Sequence, residues 1–278
     1  MKYSIATIAL LLVLNLVYGQ NEPDYQQRVS ECFSKQNYKC AEENLLAWIE
    51  ASEEDYANLY LLYTNLGTAQ RRLGRTQDAL ASYDKAYMLN KRSAAVLSNR
   101  ASLKRTMEDY QGSLDDYNMA LTLEPTSAEL FMNRAGTKIR MLDTLGAEKD
   151  LEAALHFNPD DYRVLTNLTN IRVERGEFEL AIKTYNDLLK DKVGDPILFN
   201  NRADVYLRMG MYDLAMADVN KALKISKVYD NGYVTRAEIY MELGDYKKAL
   251  KDLQKAIKLG NDTSYVFELL DECNKYLK

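Results

Sequence analysis

Residues 60–93 read YLLYTNLGTAQRRLGRTQDALASYDKAYMLNKRS, and residues 94–127 read AAVLSNRASLKRTMEDYQGSLDDYNMALTLEPTS. Laid over each other, these 34-residue stretches put small residues in register at phases 8, 20 and 27: Gly67, Ala79 and Ala86 against Ala101, Ser113 and Ala120. The count continues without insertion or deletion through stretches starting at Ala128, Tyr162, Pro196 and Asp230. Phase 8 then holds Ala135, Thr169, Ala203 and Ala237, phase 20 holds Ala147, Ala181, Ala215 and Ala249, and phase 27 holds Ala154, Leu188, Ala222 and Ala256. Small residues at these phases let helices approach closely, and Leu188 is the single large exception. Phase 4 is filled by large apolar residues: Tyr63, Leu97, Phe131, Leu165, Phe199 and Tyr233. Gly74, Gly176, Gly210 and Gly244 stand at phase 15, where a turn separates two helices. A 34-residue period of this kind marks stacked helix pairs.

The pattern resembles the tetratricopeptide repeat family over Tyr60 to about Thr263, with Pro125 and Pro159 matching the family's proline near the repeat end. The resemblance implies an all-α fold, a right-handed superhelical solenoid of antiparallel helix pairs. The departures are local. Glu108 and Leu142 replace the turn glycine, and because Gly146 falls later in Asp143-Thr144-Leu145-Gly146, that turn is expected to be reshaped. The family's tryptophan at phase 4 is absent throughout. A weaker first repeat is placed at about 22–55 from the spacing of Tyr38 and Ala41, followed by repeats at 60–93, 94–127, 128–161, 162–195, 196–229 and 230–263. Residues 264–278 read as a capping helix with Tyr265, Leu269, Leu270 and Leu277 on its apolar side, a device solenoids need to cover a terminal face.

One polar residue keeps the same beat. Asn65, Asn99, Asn133, Asn167 and Asn201 all stand at phase 6. Asparagine is a poor helix former, so five such choices inside helices call for a reason. Phases 2, 6, 9 and 13 share one helical stripe, and the resemblance places that stripe on the inner groove lined by the first helix of each repeat. An asparagine side chain offers an acceptor and a donor, which together complement a peptide group of any sequence. With helices about 8–10 Å apart and extended chain rising about 3.3 Å per residue, one rung would serve roughly every third peptide unit. The alternative is that the asparagines bond to neighbouring repeats and touch no ligand. Charge near the stripe is uneven: Arg71, Arg72, Arg105 and Arg140 at phases 12 and 13 fall in early repeats, Asp204 and Glu238 at phase 9 in late ones. A partner segment with opposite polarity would suit such a surface, and a solvated surface with chance asymmetry is the competing account. The family's lysine-and-asparagine clamp for a terminal carboxylate is not carried over, since Thr64 stands where a flanking lysine belongs.

A second covarying set points to structure. Arginine at phase 7 and aspartate at phase 23 occur together as Arg100 with Asp116, Arg134 with Asp150, Arg202 with Asp218, and Arg236 with Asp252. The other two regular repeats lack both, with Leu66 and Ser82, and Leu168 and Thr184. The expectation is a charge-assisted staple between the two helices of a hairpin, against arginines that face a ligand and aspartates that face water.

The amino terminus carries a separate message. After Lys2, residues 5–17 are almost wholly apolar, and Val17-Tyr18-Gly19 precedes Gln20. This reads as a secretory signal peptide spanning 1–19, with a retained anchor as the alternative, and the solenoid as 20–263. The remaining chain would be exported to a periplasmic or extracellular space, with no membrane attachment beyond the signal peptide. Its charge of -6, one below the full-chain -5 because Lys2 is gone, argues against a nucleic-acid partner. In an oxidising compartment Cys32 and Cys40, eight apart across the turn of the first repeat, form a disulfide or remain two buried thiols. Cys273 is left over.

His156 is the only histidine, so catalysis or metal binding built on histidine clusters is excluded. No phosphate-cradling glycine loop, serine elbow or cysteine zinc spacing appears. The chain therefore reads as a non-enzyme that needs no cofactor or metal. It would be an interaction scaffold whose partner is a peptide segment of another protein, or a chaperone-like accessory that escorts exported clients.

Overall fold

The computed structural model of this chain describes residues 25–53 and 56–277. The signal peptide expected at 1–19 lies outside the described residues. Among these residues there are fifteen α-helices and no strand. The helices are α1 (Tyr25–Ser34), α2 (Tyr38–Ala51), α3 (Leu59–Arg72), α4 (Thr76–Leu89), α5 (Ala94–Thr106), α6 (Tyr110–Leu123), α7 (Ala128–Arg140) and α8 (Thr144–Phe157). They continue with α9 (Tyr162–Glu174), α10 (Phe178–Asp191), α11 (Pro196–Arg208), α12 (Tyr212–Ile225), α13 (Asp230–Glu242), α14 (Tyr246–Lys258) and α15 (Ser264–Tyr276).

The helices fall into two compact units, one ending at Phe157 and the other starting at Asn158. The first holds the pairs from α1/α2 to α7/α8. The second holds α9/α10, α11/α12 and α13/α14, followed by the single α15. Within each unit every second helix packs on the first helix of the next pair. First helices of successive pairs also touch: α3 with α5 and α5 with α7 in one unit, and α9 with α11, α11 with α13 and α13 with α15 in the other. First helices therefore form a row of their own in each unit.

The small phases explain the close packing. Ala79, Ala86, Ala101, Ala120, Ala135, Ala147, Ala154, Ala181, Ala203, Ala215, Ala222, Ala237, Ala249 and Ala256 have no exposed surface. Gly67 is the tightest point, since a Cβ there would come within 2.7 Å of the Tyr83 ring. Helix starts are set by side-chain caps. Ser93 accepts from the Val96 amide, Asp109 from Gly112, Ser127 from Leu130 and Asp195 from Ile197 just before Pro196.

Two local expectations are corrected. The turn at Leu142 is not reshaped. Leu142 takes φ 62° and Glu108 takes φ 64°, the left-handed conformation that glycine adopts at phase 15 elsewhere. The following aspartate compensates, for Asp109 and Asp143 each accept from a backbone amide three residues on, Gly112 and Gly146, at 2.9 Å. In α15 the buried side is set by Val266 and Cys273, flanked by half-buried Leu269 and Leu270, while Tyr265 and Leu277 are exposed. The steps of three, one, and three residues between these positions follow one face of a helix.

Candidate functional site

The paired charges come together in all four repeats that carry them. Arg100 Nη2 and Nε donate to Asp116 at 2.6 and 2.9 Å, Arg134 to Asp150 at 2.7 and 2.8 Å, Arg202 to Asp218 at 2.8 and 2.6 Å, and Arg236 to Asp252 at 2.9 and 2.6 Å. Each is a two-pronged bond from the first helix of a pair to the second. Desolvation pulls the Arg100 guanidinium down, and its hydrogen bonds and charge attraction to Asp116 and Asp84 outweigh this and leave it raised.

The third guanidinium nitrogen does something the sequence reading missed. Arg100 Nη1 donates to Asp84 at 2.9 Å, Arg134 Nη1 to Asn118 at 2.7 Å, Arg236 Nη1 to Asn220 at 2.8 Å, and Arg202 Nη1 to Asn186. These acceptors sit on the second helix of the preceding repeat, so every staple also ties one repeat to the next. The signal was present, as Asp84, Asn118, Asn186 and Asn220 share phase 25. In the first unit Lys104 and Lys138 add a further bond to Asp116 and Asp150 at 2.9 and 2.8 Å. The repeat from Tyr60 uses another link, with Ser82 donating to Gln70 at 2.7 Å and Gln70 to Glu42 at 3.3 Å.

The five phase-6 asparagines are all half-buried and all lie on first helices. Asn65, Asn99 and Asn133 stand on α3, α5 and α7 of the first unit, and Asn167 and Asn201 on α9 and α11 of the second. The side-chain amides of Asn65, Asn99, Asn133 and Asn167 make no hydrogen bond to another described residue. Asn201 is a neighbour of the Tyr185 hydroxyl, whose pKa is raised chiefly by burial. The Tyr185 hydroxyl itself donates to Asn170.

The expected charged residues are distributed unevenly. Arg105 is largely engaged in packing. Its Nη1 donates to the Asn133 carbonyl at 3.0 Å, reaching over Gly136, where a Cβ would stand 2.5 Å from it. Arg71 is half-buried, and Arg72 and Arg140 are exposed. In the second unit Arg208 bridges Asp204 at 3.0 Å and Glu174 at 2.8 Å. The Asp204 carboxyl is raised by burial, against the pull of Arg208. Glu238 is raised in the same way, and its carboxylate accepts from the Tyr265 hydroxyl.

Glu174 and Asp204 border a cleft of 680 Å³ within the second unit, walled by α9, α11, α13 and the start of α15. Sequence reasoning did not find it, because its floor includes Asn200 at phase 5 and its rim is closed by the capping helix. The Cys32 and Cys40 sulfurs are bonded across the α1–α2 turn with Cα atoms 5.7 Å apart, and Cys273 is a buried free thiol. His156 is exposed beside Phe157. Among the described residues no group of three His, Cys, Asp or Glu side chains is placed to hold a metal. No described helix is long and apolar enough to cross a membrane.

Two tetratricopeptide repeat family models match the sequence, one over residues 60–93 and the other over 196–264. A sequence comparison with curated proteins finds no match. Among solved structures the chain is similar to a tetratricopeptide repeat protein from Parabacteroides merdae, with 30% identity and TM-score 0.80 over 90% of this chain and 98% of that one. It is also similar to PilW, described as a type IV pilus biogenesis factor, at 17% identity and TM-score 0.65 over 79% of this chain and 100% of that one. A chain of the APC/C Cut9–Hcn1 hetero-tetramer aligns at 14% identity and TM-score 0.71 over 97% of this chain and 52% of its own. These last two likenesses are of fold alone.

Proposed function

This chain belongs to the tetratricopeptide repeat family, and from that premise we propose that it is a non-catalytic scaffold that holds an extended segment of another protein on its first-helix rows. Members of the family bind other proteins or peptides. The observation that carries the finer reading is the state of the asparagines. Four half-buried amides at one phase, on helices that touch one another within each unit, engage nothing else in the described chain. Their polar atoms remain open to solvent, and a peptide backbone supplies both the donor and the acceptor that such an amide can engage. Three rungs on α3, α5 and α7 would grip on the order of six residues, given helices about 8–10 Å apart and about 3.3 Å of chain per residue.

The scaffold is exported under the direction of its amino-terminal segment to a periplasmic or extracellular space. The Cys32–Cys40 bond supports that setting, because disulfides persist in oxidising compartments. The test is an array of randomised, amino-terminally acetylated dodecapeptides probed with the exported chain and with an Asn65→Ala, Asn99→Ala, Asn133→Ala, Asn167→Ala variant. Bound peptides that the variant loses support the reading. Peptides held equally by both proteins, or none held by either, overturn it. A few strong sequences mark a dedicated scaffold, and many weak unrelated ones mark a chaperone-like accessory.

A further inference from the structure

The cleft in the second unit is chemically one-sided. Its lining carries the carboxylates of Glu174, Asp204 and Asp230 against the single cation of Arg208. Glu238 adds a fourth carboxylate just behind, through its bond to Tyr265, which is itself part of the lining. Acidic residues alone would say little, but Asn200 adds an independent observation. This asparagine lines the cleft, is only 7% exposed, and its Oδ1 accepts from no donor. A buried carbonyl oxygen left without a donor costs free energy that a bound donor would recover.

The resident partners do not neutralise the site. Burial raises both Asp204 and Glu238 although Arg208 and Tyr265 lie against them, and nearby negative charge adds to this, from Glu174 on Asp204 and from Asp204 on Glu238. A second cation would relieve both groups at once, because an opposite charge nearby favours the ionised carboxylate. The volume, 680 Å³, falls in the range of sites that enclose a small ligand or a long side chain. Asn201, one of the phase-6 asparagines, lies on the same wall, so a backbone held there would deliver its side chain directly into the cleft.

We propose that this cleft is a subsite for a lysine or arginine side chain of the bound segment, held by Asp204, by Glu238 beside Tyr265, and by the Asn200 carbonyl. The subsite rests on the peptide-holding reading and gives it a register, since one basic residue would fix which part of the segment lies on α9, α11 and α13. Each acceptor suits a cationic donor and none suits a carboxylate, so an acidic side chain would be rejected.

The dodecapeptide array tests this directly, because acetylated termini remove the competing α-amine. Bound peptides should be enriched in lysine or arginine at one position. For a peptide so selected, replacement of that residue by norleucine should weaken binding at least about tenfold, the scale of one charge-assisted hydrogen bond. The Asp204→Asn, Glu238→Gln variant should lose the same discrimination while its melting temperature does not fall. Peptides bound with no basic preference, or with a preference that survives in the variant, overturn the subsite and leave the scaffold reading standing. An array on which nothing binds overturns both.

Discussion

The two units share one scaffold chemistry and differ in what they present. Both use the Arg–Asp staple with its link back to phase 25, and both bury alanine at the small phases. Their first helices diverge at phase 9, which reads Thr68, Ser102 and Gly136 in the first unit and Asn170, Asp204 and Glu238 in the second. One layer down, phase 24 holds Tyr83, Tyr117 and Leu151 in the first unit and Tyr185, Val219 and Leu253 in the second. Tyr83 is fully buried, with its hydroxyl 3.1 Å from Thr68 Oγ1, so the polar group at phase 9 is used internally. In the second unit the fully buried Tyr185 likewise donates to Asn170 at phase 9, whereas Val219 and Leu253 offer no polar atom beneath Asp204, which lines the cleft, or Glu238, which accepts from Tyr265.

The largest effect expected from breaking the comparison is on the staples. Asp116 accepts from Arg100 and Lys104 and its side chain is 5% exposed, whereas Asp218 accepts from Arg202 without a lysine and is 10% exposed. Removing one partner of a buried pair costs about 3–5 kcal/mol. Asp116→Ala should reach that range and Asp218→Ala should fall below it, measured by urea unfolding with hydrogen exchange to assign the loss to one unit. Equal losses would show that the lysine adds nothing. Next is Gly67→Ala, which forces a methyl against the Tyr83 ring and should cost about 1–3 kcal/mol by overpacking, with faster exchange in α3 and α4. An unchanged midpoint would mean the ring moves freely and the first unit is less tightly closed than described.

The turns give a smaller and oppositely signed contrast. Among the described residues every positive-φ turn in the second unit is glycine, at Gly176, Gly210, Gly244 and Gly260, while the first unit uses Gln36, Glu108 and Leu142 besides Gly74. A left-handed conformation costs a non-glycine residue about 1–2 kcal/mol, partly offset by glycine's greater freedom when unfolded. Leu142→Gly should therefore stabilise the first unit by roughly 0.5–1 kcal/mol, and Gly210→Ala should destabilise the second by about as much. Both are read from the urea midpoint.

The smallest effect is the pH dependence of the cleft. A carboxyl whose folded pKa is raised binds its proton more readily folded than unfolded. Asp204 and Glu238 therefore add stability as pH falls through their folded values, and lose it as pH rises from the unfolded carboxylate range through those values. Asp204→Asn with Glu238→Gln should raise the unfolding midpoint at neutral pH, and the advantage should shrink as the solution is acidified. A lower midpoint at neutral pH would make the two acids structural, like Asp116.

Much of this was readable in the residues. The period, the buried alanines and the arginine–aspartate pairs are local, repeated choices, and repetition makes a weak preference visible. The back-link to Asp84, Asn118, Asn186 and Asn220 carried the same beat and was overlooked because it joins different repeats. The cleft was not readable, since it depends on where α15 comes down on α13 and on Asn200 at a phase with no periodic signal. The apolar pattern puts Tyr265 on the packing side of α15, and its place on the cleft wall instead follows from Val266 and Cys273 taking the buried face. The turn at Leu142 is not legible in the sequence, which shows the missing glycine more plainly than the compensating Asp143 cap.

The central claim is that the phase-6 asparagines hold a peptide backbone. Isothermal titration of one array-selected dodecapeptide into the wild-type chain and into the Asn65→Ala, Asn99→Ala, Asn133→Ala, Asn167→Ala variant tests it most directly. The expected result is a loss of affinity of at least about thirtyfold, roughly 0.5–1.5 kcal/mol for each hydrogen-bonding side chain removed, with the variant's melting temperature held or raised because asparagine gives way to a better helix former. Unchanged affinity would show that the ladder contacts no ligand.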